Sequence, residues 1–185
     1  NGLQLPYIDR VIMSVADGRL INAMAQAGES DLQARGLAFG DVTVLKRGEE
    51  QHGYHTLLWP MATSAQLALY PNLTTGDPAW REILRDVRFR HALSLGIDRD
   101  NINRALFLGF ARSSQNTVLP QSPLYEERFA SAYAAFDPQR ANSLLDEMGL
   151  TDRRGDGIRL MPDGRPLEII VETTGEGKEE LDALA

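Results

Sequence analysis

Two histidines have the spacing of a metal-binding pair. His52 and His55 lie three residues apart, so on one helical turn both imidazoles could bind the same metal ion. The intervening Gly53 and Tyr54 favour a loop or a strand instead, and no carboxylate completes a recognisable ligand set. We therefore interpret both histidines as exposed loop residues and predict that the chain has no metal site.

The segment 152–157 partly resembles a calcium-binding loop, with Asp163 at the twelfth position. Arg154 occupies a place where an oxygen ligand is required, and the twelfth residue is Asp where such loops use a bidentate Glu. These departures favour a plain turn over a calcium site.

Catalytic signatures are missing from the sequence. It has no cysteine, which excludes thiol catalysis, and it has no Gly-x-Ser-x-Gly elbow, phosphate-binding glycine loop or dinucleotide fingerprint. Carboxylates are plentiful, but no pair can be singled out for acid and base catalysis. We therefore predict a binding protein without a cofactor, and not an enzyme.

The composition is that of a globular protein. Of 185 residues, 43% are hydrophobic and 24% charged, enough to bury a core in one or two domains. The 26 acidic and 19 basic residues give a net charge of −7, which argues against nucleic acids and anionic membranes as partners. No run reaches the roughly 18 apolar residues of a membrane-spanning helix, and no signal-peptide pattern is visible.

Strands and helices are predicted to alternate. Apolar, β-branched segments predict strands at 7–15, 41–46 and 54–59, and the turn residues Pro162-Asp163-Gly164-Arg165 predict a hairpin between 157–161 and 167–173. Apolar residues at helical spacing predict helices, three of which are closed by a glycine, at Gly28, Gly109 and Gly149. The predicted N-caps of these helices are Asp17, Asp86, Asp98 and Asp137.

This order of elements predicts a mixed α/β architecture, with helices packed on a small mixed sheet and a β-hairpin near the C-terminus. A last amphipathic helix begins near residue 177, and its pattern is unfinished at residue 185. We therefore expect the chain to be a fragment.

The run 88–102, RFRHALSLGIDRDNI, closely resembles the segment RFRxALSLAIDRxxI of the family 5 extracellular solute-binding proteins. Residues 6–11 are similar to the PYxDxV strand of that family, and residues 27–31 to its xxGEID helix end. Residues 125–150 resemble the stretch that closes with DPxkAxxLLDeaGL, and residues 156–167 resemble the DGIRxxPDGkPL hairpin. Gly96 and Ser30 replace the usual alanine and isoleucine.

The resemblance implies a fragment of a two-lobed, periplasmic-binding-protein-like fold that encloses its ligand by hinge motion. Residues 1–58 would then be the end of lobe I, residues 59–72 the segment that crosses the hinge, and residues 73–185 the incomplete first part of lobe II. We expect such a fragment to expose apolar surface that missing segments cover.

The function that the resemblance implies is that of the extracytoplasmic substrate-binding component of an ABC transporter. It would capture an oligopeptide or similar solute and deliver it to permease subunits. Its location would be periplasmic or extracellular, with a signal peptide in the full-length protein. The alternative is a solute-sensing domain of a cytoplasmic transcriptional regulator on the same scaffold.

Two places could supply the ligand site that the resemblance implies. The hinge-crossing segment offers Trp59, Tyr70 and Asn72, although the two aromatics could be ordinary packing residues and Asn72 could simply make a turn. The polar loop 111–117 follows a helix and offers Arg112 as a bidentate partner for a carboxylate, although its position favours a solvated surface arginine. From this loop we also select Gln115 and Asn116 as ligand-binding candidates.

Overall fold

Helices and loops make up the part of the chain that the computed structural model describes, which is residues 2, 4–59, 65–173 and 183. The chain divides into two compact units, Asn1–Pro60 and Met61–Ala185. The first unit contains α1 (Gly18–Gln26) and, after the 3₁₀ turn Phe39–Asp41, α2 (Val42–His52). The second contains α3 (Pro78–Arg85), α4 (Val87–Leu95), α5 (Arg99–Leu106), α6 (Glu127–Ser131) and α7 (Pro138–Glu147).

Helix α2 packs against α1 in the first unit, and the close contact is made at Gly48. A side chain at this position would meet the hydroxyl of Tyr54 and lie only 3.1 Å from the carbonyl oxygen of Gln26. The Tyr54 hydroxyl donates a hydrogen bond of 2.5 Å to the carbonyl of Leu45. Only glycine therefore fits between α2, the end of α1 and the Tyr54 ring.

The predicted strand at 41–46 is wrong, because Asp41 ends the 3₁₀ turn and residues 42–46 are the first half of α2. Val42, Leu45 and Gly48 recur every third residue and are buried together. Burying that helical face outweighs the preference of Val42, Thr43 and Val44 for strands.

The predicted strands at 7–15 and 54–59 are also wrong, since neither segment has regular structure. A strand needs a hydrogen-bonded neighbour, and no residue within 4–59 and 65–173 forms a regular strand. Val11, Ile12 and Val15 are each more than 70% exposed. The expected exposure of apolar side chains is therefore found in this segment.

The core of the second unit lies between α3, α4, α7 and the segment that follows α7. Phe89 of α4 is its most deeply buried large side chain, 1% exposed, and it packs with Ile83, Leu150 and Met161. A second cluster forms along the contact of α4 with α7. Its members are Ala92, Leu95, Ala141 and Leu144.

The predicted N-caps of three helices in this unit are confirmed. The carboxylates of Asp86, Asp98 and Asp137 accept hydrogen bonds from backbone amides at the starts of α4, α5 and α7. Helix α3 was not predicted, although Asp77 and Pro78 begin it in the same way as Asp137 and Pro138 begin α7. In the first unit α1 begins directly after Asp17. The glycines at the predicted helix ends, Gly28, Gly109 and Gly149, all have the left-handed backbone.

Near the C-terminus the predicted turn is present, whereas the pair of strands predicted on either side of it is wrong. The amide of Met161 donates to the carbonyl of Arg165 at 2.7 Å, and Gly164 takes the positive φ of 83° that the turn requires. Pairing is limited to the isolated antiparallel bridges Leu160–Pro166 and Arg153–Arg159.

The mixed sheet of the predicted architecture is therefore not found within residues 4–59 and 65–173. The predicted helix at 177–185 lies outside the described residues, apart from Ala183. Among the helices described, none has the length and apolar character needed to cross a membrane.

Candidate functional site

Tyr70 and Asn116 are brought together by the fold. The side-chain amide of Asn116 donates a hydrogen bond of 3.1 Å to the hydroxyl of Tyr70, and both residues are exposed, Tyr70 by 79%. Two of the predicted ligand-binding residues, one from each predicted place, thus form one surface feature of an aromatic ring and an amide.

The loop 111–117 is fastened to α5 at two points. The side chain of Asn103 donates to the carbonyl of Ala111 at 2.7 Å and accepts from the amide of the same residue at 2.9 Å. Two residues further on, the hydroxyl of Ser113 donates to the carboxylate of Asp100 at 2.5 Å. The first half of the loop therefore has a fixed position although it has no regular structure.

Ser94 of α4 is the centre of a polar cluster that holds the second half of the loop. Its hydroxyl donates to the carbonyl of Tyr133 at 2.8 Å and accepts from Arg99 at 2.8 Å and from the side-chain amide of Gln115 at 2.6 Å. Gln115 also donates to the carbonyl of Ala132 at 2.7 Å. We call Ser94, Arg99 and Gln115 the Ser94 cluster.

Arg99 completes this cluster from the start of α5. It is half-buried and donates to the carbonyls of Ser94 at 2.8 Å and Ala134 at 3.2 Å. Burial lowers the pKa of its guanidinium from the ordinary value. In the sequence, Ser94 and Arg99 are recognisable only as members of the run 88–102, because the partners that give them a role lie far away in the chain.

Arg112 already binds a carboxylate of the protein. Its guanidinium donates to both carboxylate oxygens of Glu127, at 3.0 and 2.8 Å, and the hydroxyl of Tyr125 donates to the same group at 2.7 Å. These hydrogen bonds, first that of Tyr125 and then that of Arg112, lower the pKa of Glu127. Both bonds come from the single nitrogen Nη2, so Arg112 meets a carboxylate as expected, but the partner is internal and the two-nitrogen fork of a bidentate pair is not formed.

Asn72 makes a turn. Its side-chain oxygen accepts from the amide and from the hydroxyl of Thr74, each at 3.1 Å, as in an Asx turn. Trp59 is 73% exposed and belongs to the first unit. The structure thus pairs Tyr70 with Asn116. The side chains of Asn72, Arg112 and Gln115 instead form hydrogen bonds with other residues of the second unit.

The arginines of the run 88–102 hold the ends of neighbouring helices. Arg88 donates to the carbonyl of Glu147 at 2.8 Å, at the end of α7. Arg90 donates to the carbonyls of Leu84 and Arg85 at 2.9 and 2.8 Å, at the end of α3. The last carbonyls of a helix lack intrahelical partners, so these side chains supply their donors. Together with the buried Phe89, they explain this run as a scaffold motif.

The metal-like patterns of the sequence do not form a metal site among the described residues, where no group of three or more His, Cys, Asp and Glu side chains is placed to hold an ion. His52 is the last residue of α2, so the interpretation of it as a loop residue is wrong, whereas His55 lies in the loop as expected. In the loop that resembles a calcium site, Arg154 forms an ion pair with Asp156 at 2.5 Å.

Comparison with known proteins shows which family this chain resembles. The family described as "Bacterial extracellular solute-binding proteins, family 5 Middle" matches residues 1–185. In a solved structure, the oligopeptide-binding protein OppA is 38% identical with a TM-score of 0.62, over 83% of this chain and 25% of that one. This likeness supports a periplasmic-binding-protein-like fold.

Two curated relatives show the range of this similarity. The periplasmic alpha-galactoside-binding protein of Rhizobium meliloti is 26% identical over 92% of this chain and 26% of its own length. The dipeptide-binding protein of Escherichia coli is 29% identical over 56% of this chain and 19% of its own length. The chain thus spans about a quarter or less of these relatives. Since the family match extends over all 185 residues, the chain belongs to the family 5 bacterial extracellular solute-binding proteins.

Proposed function

We propose that the protein containing this chain is the extracytoplasmic substrate-binding component of an ABC transporter. It captures an oligopeptide or similar solute between two lobes and delivers it to a permease. The observation that carries the proposal is the family match over residues 1–185. In this assignment residues 1–58 end lobe I, residues 59–72 cross the hinge and residues 73–185 begin lobe II.

The surface formed by Tyr70 and Asn116 is the proposed part of the solute site. Ligand sites combine aromatic walls with a few fixed polar groups, and here the hydrogen bond between the two side chains orients both. Trp59, Asn72 and Arg112 remain proposed contributors. Arg112 contributes through its ion pair with Glu127, which offers a charge of each sign to a peptide with two charged ends.

An oligopeptide is the solute class that we propose. The amide of Asn116 suits hydrogen bonding to a peptide backbone, and the solved relative with 38% identity is an oligopeptide-binding protein. The galactoside named for one relative is the competing class, because an aromatic ring such as that of Tyr70 also suits a sugar face. The test must therefore include both.

The test uses the full-length protein in which this chain occurs. Native mass spectrometry identifies any co-purified solute, and calorimetry compares a mixture of tripeptides with the galactoside raffinose. We expect peptide binding that Tyr70→Ala and Asn116→Ala each weaken by roughly tenfold, as for residues central to a binding surface. Gln139→Ala, on the exposed face of α7, should leave the affinity unchanged.

Binding of raffinose without peptide binding would reassign the solute class and keep the transport role. If no solute binds, and the full-length protein carries a DNA-binding domain in place of a signal peptide, the transport proposal fails in favour of a cytoplasmic regulator.

A further inference from the structure

We propose that Gln115 is a positioning residue: the Ser94 cluster holds its side chain, and thereby fixes the loop 111–117 so that Asn116 meets Tyr70 in the solute site. This inference rests on the proposed function, since it assigns the Tyr70 and Asn116 surface to solute binding. It assigns a different role to a residue that the sequence suggested as a ligand contact.

The hydrogen-bond donors of Gln115 are all bonded to acceptors within the protein. Its side-chain nitrogen carries two hydrogens, and that nitrogen donates to the hydroxyl of Ser94 at 2.6 Å and to the carbonyl of Ala132 at 2.7 Å. Its backbone amide donates to the carbonyl of Ala130 at 2.8 Å. A solute could use these donors only by breaking bonds that connect the loop to α4, to α6 and to the segment after α6.

The loop has residues that anchor it and residues that face outward. The anchors are Ala111, Ser113, Ser114 and Gln115, which bond to α5, α4 and the segment around α6. Between and beyond them, Arg112 and Asn116 are exposed and make their side-chain contacts on the outer surface. Since Asn116 directly follows Gln115, the place of its side chain is set by the last anchor.

Loss of that anchor should therefore act on the solute site through Asn116. Side-chain hydrogen bonds that are lost together free a loop locally without unfolding the core, because Phe89 and its neighbours are packed elsewhere in the unit. The predicted signature is a weakened solute affinity whose size depends on whether Tyr70 and Asn116 are intact.

The experiment compares Gln115→Met with Gln139→Ala and the wild type in the full-length protein. Methionine keeps the length of the side chain and removes both donors. The first readout is hydrogen exchange of the Gln115 amide without ligand, expected to become roughly tenfold faster in Gln115→Met only. The second is tripeptide affinity by calorimetry, expected to fall by roughly fivefold to tenfold, as for two lost hydrogen bonds.

The third readout is a double-mutant cycle with Asn116→Ala. The effect of Gln115→Met on affinity should shrink at least threefold in the Asn116→Ala background, which a general loss of stability would not produce. Faster exchange with unchanged affinity would overturn the proposal, because the loop would then be anchored but not used. Unchanged exchange would overturn it as well.

Failure of the proposed function gives a different pattern. If the wild type binds neither peptides nor raffinose, the proposed function fails, while the exchange of the Gln115 amide still decides whether this side chain fixes the loop.

Discussion

Arg165 donates two hydrogen bonds to the carboxylate of Asp77, at 2.7 and 3.1 Å, and so joins the turn near the C-terminus to the start of α3. The same carboxylate accepts from the amides of Ala79 and Trp80 at 3.0 and 3.2 Å. One side chain thus caps a helix and fastens a turn 88 residues away.

This arrangement predicts a loss of stability in acid. The hydrogen bonds from Arg165 and then from the backbone amides lower the pKa of Asp77 from 3.8 to about 2. A lowered carboxyl pKa gives stability that is complete above about pH 4 and is lost as the pH falls from about 4 to 2. The free energy of unfolding by urea, measured across this range, should decline.

The matched variants for this prediction are Asp77→Asn and Asp137→Asn. Asparagine still caps a helix but cannot pair with Arg165 as an anion, so Asp77→Asn should be less stable at pH 7 and should show a shallower acid decline. Asp137 caps α7 through the amide of Arg140, and its variant should keep the steeper decline. Equal slopes in the two variants would contradict the assignment.

Phe89 should be the most sensitive core position in the second unit. Phe89→Ala is expected to cost about 3 to 5 kcal/mol, because it removes a ring that is 1% exposed and leaves a cavity among Ile83, Leu150 and Met161. Phe129→Ala, at a ring 51% exposed, should cost under about 1 kcal/mol. Urea unfolding at pH 7 measures both, and similar costs would show that the core lies elsewhere.

Arg159 should be irreplaceable by lysine. The residue is 6% exposed, and its guanidinium donates to the side chain of Asp146, the carbonyl of Leu150 and the side chain of Asn142. Arg159→Met should cost about 2 to 3 kcal/mol by leaving these acceptors unpaired. Arg159→Lys should recover little of this, since one ammonium cannot reproduce the planar fork.

The exposed Arg153 offers the control for this test. Arg153→Met should change the free energy of unfolding by less than about 0.5 kcal/mol. A lysine variant of Arg159 as stable as the wild type would show that charge alone, without the fork geometry, is required.

His91 should add a second pH dependence of stability, at a higher pH than that of Asp77. Its ring stacks on that of Tyr133, with centroids 3.6 Å apart, and burial, followed by the charge of Arg90, lowers its pKa. Because the folded protein then binds the proton less readily than the unfolded chain, stability should fall as the pH drops below about 6.5.

His91→Phe keeps a stacking ring without a titrating group and should remove this dependence, measured as the difference in unfolding free energy between pH 8 and pH 5. His55→Phe, in a loop, is the control and should leave the difference as it is. A wild-type difference that persists in His91→Phe would assign it to another group.

Local signals explain what the sequence predicted correctly. An aspartate cap acts within three residues of itself, so Asp86, Asp98 and Asp137 could be recognised from their neighbours alone. Segment 41–46 failed for the complementary reason. The β-branched side chains there favour a strand locally, whereas the burial of Val42 and Leu45 against another helix decides the outcome.

The candidate site was predictable as a set of residue types and not as an arrangement. Tyr70 and Asn116 are 46 residues apart, and no spacing in the sequence indicates that they are hydrogen-bonded. The same holds for Gln115, whose partners Ser94 and Ala132 lie on different segments. The sequence of a polar loop suggests that its residues bind a ligand. Only the tertiary contacts distinguish the side chains that face solvent from those that hold the loop in place.

Under the proposed function, the separation of anchoring from outward-facing residues in loop 111–117 has a consequence for how such a protein acquires a new ligand. Replacing Arg112 or Asn116 changes the chemistry offered to solvent and leaves the bonds at Ala111, Ser113, Ser114 and Gln115 in place. In the proposed solute site, selectivity can then be changed one substitution at a time, without the chain having to find a new backbone path.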